Sequence, residues 1–173
     1  MATERLDVIS LNGNPLTLIG PELKIGDLAP EFEVVGKDMG VVGLSDTEGK
    51  VRVFSVIPSI DTPVCDTMTR RFNEEAAGLS EVQIYSISMD LPFGQSRWCA
   101  AAEVENLVMF SDHRSASFGT NYGTLIKELR LQTRAIFVLD KSDKIRHVEY
   151  VREISGHPDY EAALEVIREV AAE

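Results

Sequence analysis

Apolar positions along this chain follow two rhythms, a period of two in short runs and a period near four in longer ones. Asp7–Leu11 and Leu16–Ile19 flank Asn12-Gly13-Asn14-Pro15, and Asn-Gly between apolar runs is the strongest local hairpin signal. Gly- and Pro-rich chain leads on to Pro30. Short strands are then expected at Phe32–Val35 and Val41–Leu44, with a turn or one helical turn at Ser45–Gly49. Val51–Ile57 is apolar and β-branched, a strand pattern. From Asp66 to Gly78, Met68, Phe72 and Ala76 recur at spacing four, which predicts a helix. Val82–Ser88 alternates as a core strand, and Asp90-Leu91-Pro92-Phe93-Gly94 breaks it. Good helix formers fill Gln95–Glu105. Leu107–Phe110 is a short strand, Ala116–Tyr122 a short helix stopped by Gly123, and Ala135–Leu139 a buried strand with a hairpin partner near Ile145–Val151. Asp159–Ala172 closes the chain as an amphipathic helix with Ala163, Val166, Ile167 and Val170 inward, after Pro158 and with Asp159 as cap. No repeat, low-complexity tract or linker interrupts this order, so residues 1–173 are expected to form one α/β domain with a mixed sheet, the hairpin spanning about 6–19.

Composition narrows the function classes. At 173 residues, 44% hydrophobic and 26% charged, the chain has the make-up of a soluble globular domain. Its net charge of −11 is spread along the sequence, which argues against nucleic acid or an anionic membrane surface as partner. No apolar run approaches the ~20 residues of a membrane span. The start, Met-Ala-Thr-Glu-Arg-Leu-Asp, lacks the order of a secretion signal. A cytoplasmic protein is expected.

The two cysteines, Cys65 and Cys99, match neither a C-x-x-C pair nor a zinc knuckle. With His113, His147 and His157 scattered over three segments, no metal site and no cofactor are expected. By count alone, two unrelated buried thiols are the plain reading. The surroundings of Cys65 change that. Thr62 suits an N-cap and Pro63 the first helical position, so Cys65 falls third, inside the first turn. There, unpaired N–H groups and the positive end of the helix dipole favour a thiolate. Asp61 and Asp66 bring opposing charge, and Arg70 and Arg71 sit at spacings that do not share the cysteine's face. A cation must come from elsewhere in the fold.

Pro58-x-x-x-Thr62-x-x-Cys65, between strand and helix, resembles the peroxidatic motif of the peroxiredoxins. Together with Met89-Asp90-Leu91-Pro92-Phe93-Gly94-Gln95-Ser96-Arg97-Trp98-Cys99, His157-Pro158-Asp159-Tyr160-Glu161-Ala162-Ala163-Leu164 and the N-terminal hairpin, it is similar to the bacterial thiol peroxidase subgroup, the atypical two-cysteine members. The resemblance covers almost the whole chain apart from Tyr122–Leu131, which has no close match. It implies a thioredoxin-like fold with a mixed central sheet flanked by helices, a homodimer, and reduction of hydroperoxides with thioredoxin as reductant. Carried over, Cys65 is peroxidatic and Cys99 resolving, Pro58 shields the site, Thr62 orients the attack and Arg134 supplies the cation. On the residues alone, a strand-end arginine, a plain N-cap and a strand-ending proline are the competing readings for Arg134, Thr62 and Pro58.

Both cysteines are expected in helices, while a disulfide needs Cα atoms within ~7 Å. The first turn at Cys65 and Pro92–Ala101 are therefore expected to loosen in each cycle. Phe93 and Trp98, near Cys99, either line an apolar approach for alkyl hydroperoxides or are ordinary core aromatics. Two other functions fit the fold class: a thiol–disulfide exchanger or redox sensor, and a binding domain with inert thiols.

Overall fold

The expected hairpin is built from β1 (Glu4–Leu11) and β2 (Asn14–Ile19). Its two turn residues, Asn12 and Gly13, both have positive φ, 50° and 80°, the backbone a tight primed turn requires and glycine adopts without steric cost. The computed structural model describes residues 2–173. After the hairpin come β3 (Glu33–Val35), β4 (Val41–Gly43), a 3-10 turn at Leu44–Thr47, β5 (Val51–Val56), α1 (Pro63–Ala76), β6 (Val82–Ser88) and α2 (Pro92–Ala102). The chain continues through β7 (Leu107–Ser111), α3 (Ser117–Tyr122), β8 (Leu125–Ile126), β9 (Ala135–Leu139), β10 (Ile145–Tyr150) and α4 (Tyr160–Ala171).

Seven strands form one mixed sheet in the order β10-β9-β5-β6-β7-β3-β4. β5, β6 and β7 run parallel, and β9 is antiparallel to β5. This is the mixed α/β architecture expected from the sequence. Period two divides the core. Val51, Val53 and Ile57 join Cys65, Met68 and Phe72 of α1 and Ala163 and Ile167 of α4 on one face. Phe54 and Val56 join Phe32, Phe118, Tyr122 and Phe137 on the other, where the Phe118 and Tyr122 rings stack with centroids 4.1 Å apart.

Two elements differ from expectation. α2 begins at Pro92, not Gln95. Leu91 is the extended N-cap, and the fixed φ of Pro92 starts the helix as well as ending the strand segment before it. β8 has no counterpart in the sequence pattern. It is two residues long and exists through long-range pairing with β2, Leu18 opposite Ile126 and Ile19 opposite Leu125. That pairing turns the hairpin into a three-stranded sheet with its own small core of Ile9, Leu18, Ile126 and Ile154.

Candidate active site

Cys65 occupies the third residue of α1, after Thr62 at the N-cap and Pro63 at the start of the helix. The first intrahelical bond runs from the Asp66 N–H to the Thr62 carbonyl at 2.9 Å. The N–H groups of the opening turn, ahead of that bond, have no partner within the helix. Cys65 is wholly buried. As a cap, Thr62 departs from expectation, because its side chain accepts no bond from the helix. The turn that sends the Thr62 N–H to the Ser59 carbonyl at 3.2 Å also brings that carbonyl within 3.0 Å of the threonine hydroxyl. The hydroxyl donates there, which leaves its oxygen lone pairs for an incoming O–H.

The missing cation is Arg134. Ile136 and Val138 of β9 face α1 and α4, so a residue two before Ile136 continues on that face. The register Val56 opposite Ala135 carries Arg134 to the level where β5 ends and α1 begins. Its Nη1 donates to Cys65 Sγ at 3.3 Å and to Met68 Sδ at 3.7 Å, while Nε and Nη2 both donate to the Ile154 carbonyl, at 3.1 and 2.9 Å. Arg134 is 2% exposed. Among the described residues no carboxylate lies within salt-bridge distance of it. A buried, unpaired cation is costly, and the Cys65 sulfur is the side-chain partner its guanidinium meets most closely.

Sequence reasoning does not reach what holds this arginine. A backbone carbonyl leaves no mark in side-chain chemistry, and Ile154 has the character of ordinary core. The hairpin props it. The Ser10 N–H donates to the Arg152 carbonyl at 2.7 Å, and the Ile154 N–H to the Ser10 carbonyl at 2.9 Å. The Glu153 carboxylate accepts from the Ser10 hydroxyl and from the Asn12 and Gly13 N–H groups, at 2.7, 2.8 and 3.1 Å. These bonds, the Ser10 hydroxyl's foremost, together with one from the Ser155 hydroxyl at 2.7 Å, hold its carboxyl down at about 2.

Pro58, Thr62 and Arg134 line one cavity of about 290 Å³, together with Leu11, Ile126, Leu129, Leu131 and Ile154. Apart from Thr62, Arg134 and Ser155 its side chains are apolar. The residues around β8, unmatched in the sequence, thus form its far wall. Of the two readings for Phe93 and Trp98, the apolar approach is not observed at this cavity, since neither residue lines it. Phe93 is 67% exposed, and Trp98 donates from Nε1 to Asp66 Oδ1 at 2.8 Å with Arg70 over its ring. Arg70, as its spacing implied, pairs with Asp66 at 2.8 Å rather than with the cysteine, and this bond first of all, with Trp98 contributing, holds the Asp66 carboxyl below its ordinary range.

Cys99 lies in α2, half-buried, and is a free thiol like Cys65. Its Sγ is 3.0 Å from Met109 Sδ, and it borders a different cavity, of about 710 Å³, beside Leu107, Val108 and Val42. Burial pushes the Cys99 thiol up. The structure therefore brings Pro58, Thr62, Cys65 and Arg134 together and sets Cys99 apart on a neighbouring helix. The histidines do not converge: His157 Nδ1 meets the Tyr160 hydroxyl at 2.8 Å and His113 the Ser111 hydroxyl at 2.8 Å. Among the described residues no cluster of His, Cys, Asp and Glu could hold a metal ion.

A buried cysteine at a helix start, clamped by an arginine from the adjacent strand on a β10-β9-β5-β6-β7 sheet, defines a thiol-based redox protein of the thioredoxin fold. Comparison with known proteins narrows the class. The Redoxin family profile matches residues 24–164. The thiol peroxidase of Oceanobacillus iheyensis is 56% identical over 156 residues, 90% of this chain and 95% of that protein. That of Halalkalibacterium halodurans is 54% identical over 160 residues, 92% and 96% of the two chains. A peroxiredoxin-like protein from Aquifex aeolicus, of solved structure, superposes with a TM-score of 0.88 at 40% identity, covering 95% of this chain and 97% of that one. The chain belongs to the Redoxin family, within the thiol peroxidase subgroup of the peroxiredoxins.

Proposed function

We propose that this chain reduces hydrogen peroxide and organic hydroperoxides through Cys65, with Cys99 as the resolving thiol. The observation that carries the reading is the Arg134–Cys65 contact of 3.3 Å between two buried groups. Inert thiols give no reason to bury an unpaired guanidinium against a sulfur, and a general disulfide exchanger has no use for a wholly buried thiol with an apolar cavity beside its arginine. A family of thiol-dependent peroxidases supports the same chemistry.

The Cys65 thiolate attacks the nearer peroxide oxygen, the O–O bond breaks, and the alkoxide or hydroxide leaves as alcohol or water after taking up a proton. Cys65 is then a sulfenic acid. Arg134 faces the charge that spreads over the attacked and departing oxygens. The Thr62 oxygen accepts the peroxide O–H and aligns it, and Pro58, without an N–H, closes the cavity to competing donors. The Cys99 thiol next displaces water from the sulfenic sulfur, which forms the Cys65–Cys99 disulfide. A dithiol of the thioredoxin class reduces it by two successive exchanges. The apolar wall of Leu11, Ile126, Leu129 and Leu131 supports alkyl hydroperoxides as substrates beside hydrogen peroxide.

The same reading takes residues 1–173 as one domain, resident in the cytoplasm and without cofactor, working as a homodimer. No helix among the described residues is long and apolar enough to cross a membrane. Leu91 and Phe93, exposed at the start of α2, are apolar surface that a second copy would cover, and gel filtration giving only monomer at micromolar concentration removes the dimer.

The test is a thiol count and intact mass before and after one equivalent of hydrogen peroxide, on the native chain and on Cys99→Ser. Loss of both thiols and about two mass units in the native chain, with a trappable sulfenic acid on Cys65 in the variant, is expected. Survival of both thiols refutes the mechanism.

A further inference from the structure

Asp90, in the turn between β6 and α2, has no part in the chemistry just described, yet it joins the two cysteine segments. Its carboxylate accepts three bonds: from the Ser59 hydroxyl at 2.8 Å, the Ile60 N–H at 2.8 Å and the Ser88 hydroxyl at 2.7 Å. One limb leads to Cys65. Ser59 is held by Asp90, and its carbonyl receives both the N–H and the hydroxyl of Thr62, the residue that starts α1. The other limb leads to Cys99. The Ser88 hydroxyl accepts from Gln95 Nε2 at 3.1 Å, and Gln95, 2% exposed, also donates to the Phe110 carbonyl at 2.9 Å. That anchors the opening turn of α2.

Neither helix has a side-chain cap of its own. Thr62 and Leu91 make no capping bond, whereas α4 is capped by Asp159, which accepts from the Ala162 N–H at 3.0 Å. Two uncapped helix starts are thus tied to one carboxylate. Charge-assisted bonds of this kind are the strong ones among protein hydrogen bonds, and the removal of their shared acceptor frees both segments at once.

We infer that Asp90 is a positioning residue that keeps the peroxide-binding turn and the start of α2 closed together, and whose release permits the approach of Cys99 to oxidised Cys65. The inference rests on the two-cysteine reading above. It assigns Asp90 opposite effects on the two steps. Held, it places Thr62 for peroxide; let go, it lets the sulfurs meet.

The test is stopped-flow fluorescence of Trp98, the chain's one tryptophan, with hydrogen peroxide. The peroxide-dependent phase reports oxidation of Cys65 and the peroxide-independent phase reports disulfide formation. Asp90→Asn keeps the shape and removes the charge. It is expected to slow the first phase about tenfold or more, to speed the second about threefold or more, and to raise the peroxide concentration that over-oxidises Cys65. Ser59→Ala should act on the first phase and Ser88→Ala on the second, a split that a loss of overall stability cannot produce. If Asp90→Asn fails to fold, the two serine variants carry the test. Both phases within twofold of native in Asp90→Asn, or both serine variants shifting the two phases alike, overturns the inference. No disulfide in the native chain overturns the two-cysteine reading and this inference with it, and is distinguished by the thiol count alone.

Discussion

Arg134→Gln is the substitution most informative about catalysis, because it removes the charge at Cys65 and leaves a polar side chain in the same space. Two magnitudes bracket its effect. A hydrogen bond to a charged group contributes about 1.5–3 kcal/mol. Two unit charges separated by the observed 3.3 Å interact by about 5 kcal/mol at an effective dielectric constant near 20. Part of the lost interaction returns from the free N–H groups at the start of α1, so an effect of about 3–4 kcal/mol is expected. At 1.36 kcal/mol per decade this is a fall of roughly 100- to 1000-fold in the second-order rate constant for Cys65 oxidation. The Ile154 carbonyl, which accepts from both Nε and Nη2, also loses a partner, a stability cost of about 1–3 kcal/mol. The assay is stopped-flow fluorescence of Trp98 against peroxide concentration, with urea unfolding on the same sample to separate stability from rate. A rate constant within fivefold of native in a folded Arg134→Gln protein refutes the electrostatic account of this site.

Leu129→Lys places a charge on the apolar wall without touching Arg134. It should lower kcat/KM for a long alkyl hydroperoxide about five- to tenfold, the worth of one lost leucine contact, and leave hydrogen peroxide unaffected; equal losses for both refute the wall's role. A resolving Cys99 would attack as a thiolate, and burial raises its thiol, so disulfide formation should accelerate as pH rises through and beyond the ordinary cysteine value of about 8.5. A rate flat from pH 7 to pH 10 contradicts this. Asp112, buried and bonded by the N–H groups of Phe118 and Gly119 and by Gln132, is pushed up to about 6, chiefly by burial. The native state therefore holds this proton where the unfolded chain has released it. The resulting stabilisation is complete at low pH and is lost as pH rises toward and through 6, an effect of about 3 kcal/mol. Urea unfolding of native protein against Asp112→Asn should show their stability difference changing by up to that amount between pH 4 and pH 7; a constant difference excludes it.

Much of this is legible in the sequence, for identifiable reasons. The hairpin at Asn12-Gly13 and the strand–Pro63–helix unit around Cys65 are local events, set by backbone preferences within a few residues. α4 is equally plain, since its apolar stripe and the Asp159 cap are contiguous. Cys65 stands out by its place at a helix start, whereas Cys99, Pro58, Thr62 and Arg134 are singled out by the resemblance, since a resolving thiol, a strand-ending proline, an N-cap and a strand-end arginine look ordinary on their own. The features that escape sequence reasoning are carried by long-range backbone contacts. β8 forms because β2 lies beside it, and the Ile154 carbonyl meets Arg134 across the fold. Pro92 misleads for the opposite reason: proline breaks a strand and starts a helix with the same fixed φ, and the residues C-terminal to it decide between the two. Phe93 and Trp98 are ambiguous by composition, and the structure turns one to solvent and gives the other to Asp66.

The hairpin has a further consequence for altering this protein. Its tip lends Leu11 to the cavity beside Arg134, and its backbone carries the strap that fixes the arginine. In the proposed mechanism, selectivity and rate would therefore be linked through that one element. A designer who trims Leu11 works next to Ser10, whose bonds to Arg152, Glu153 and Ile154 lead on to the carbonyl that holds Arg134. Leu129 and Leu131 belong to a segment tied to the same hairpin, through the Thr17 N–H on the Glu128 carboxylate and the Lys127 N–H on the Thr17 carbonyl, so the cavity cannot be widened from that side without working against β2 as well.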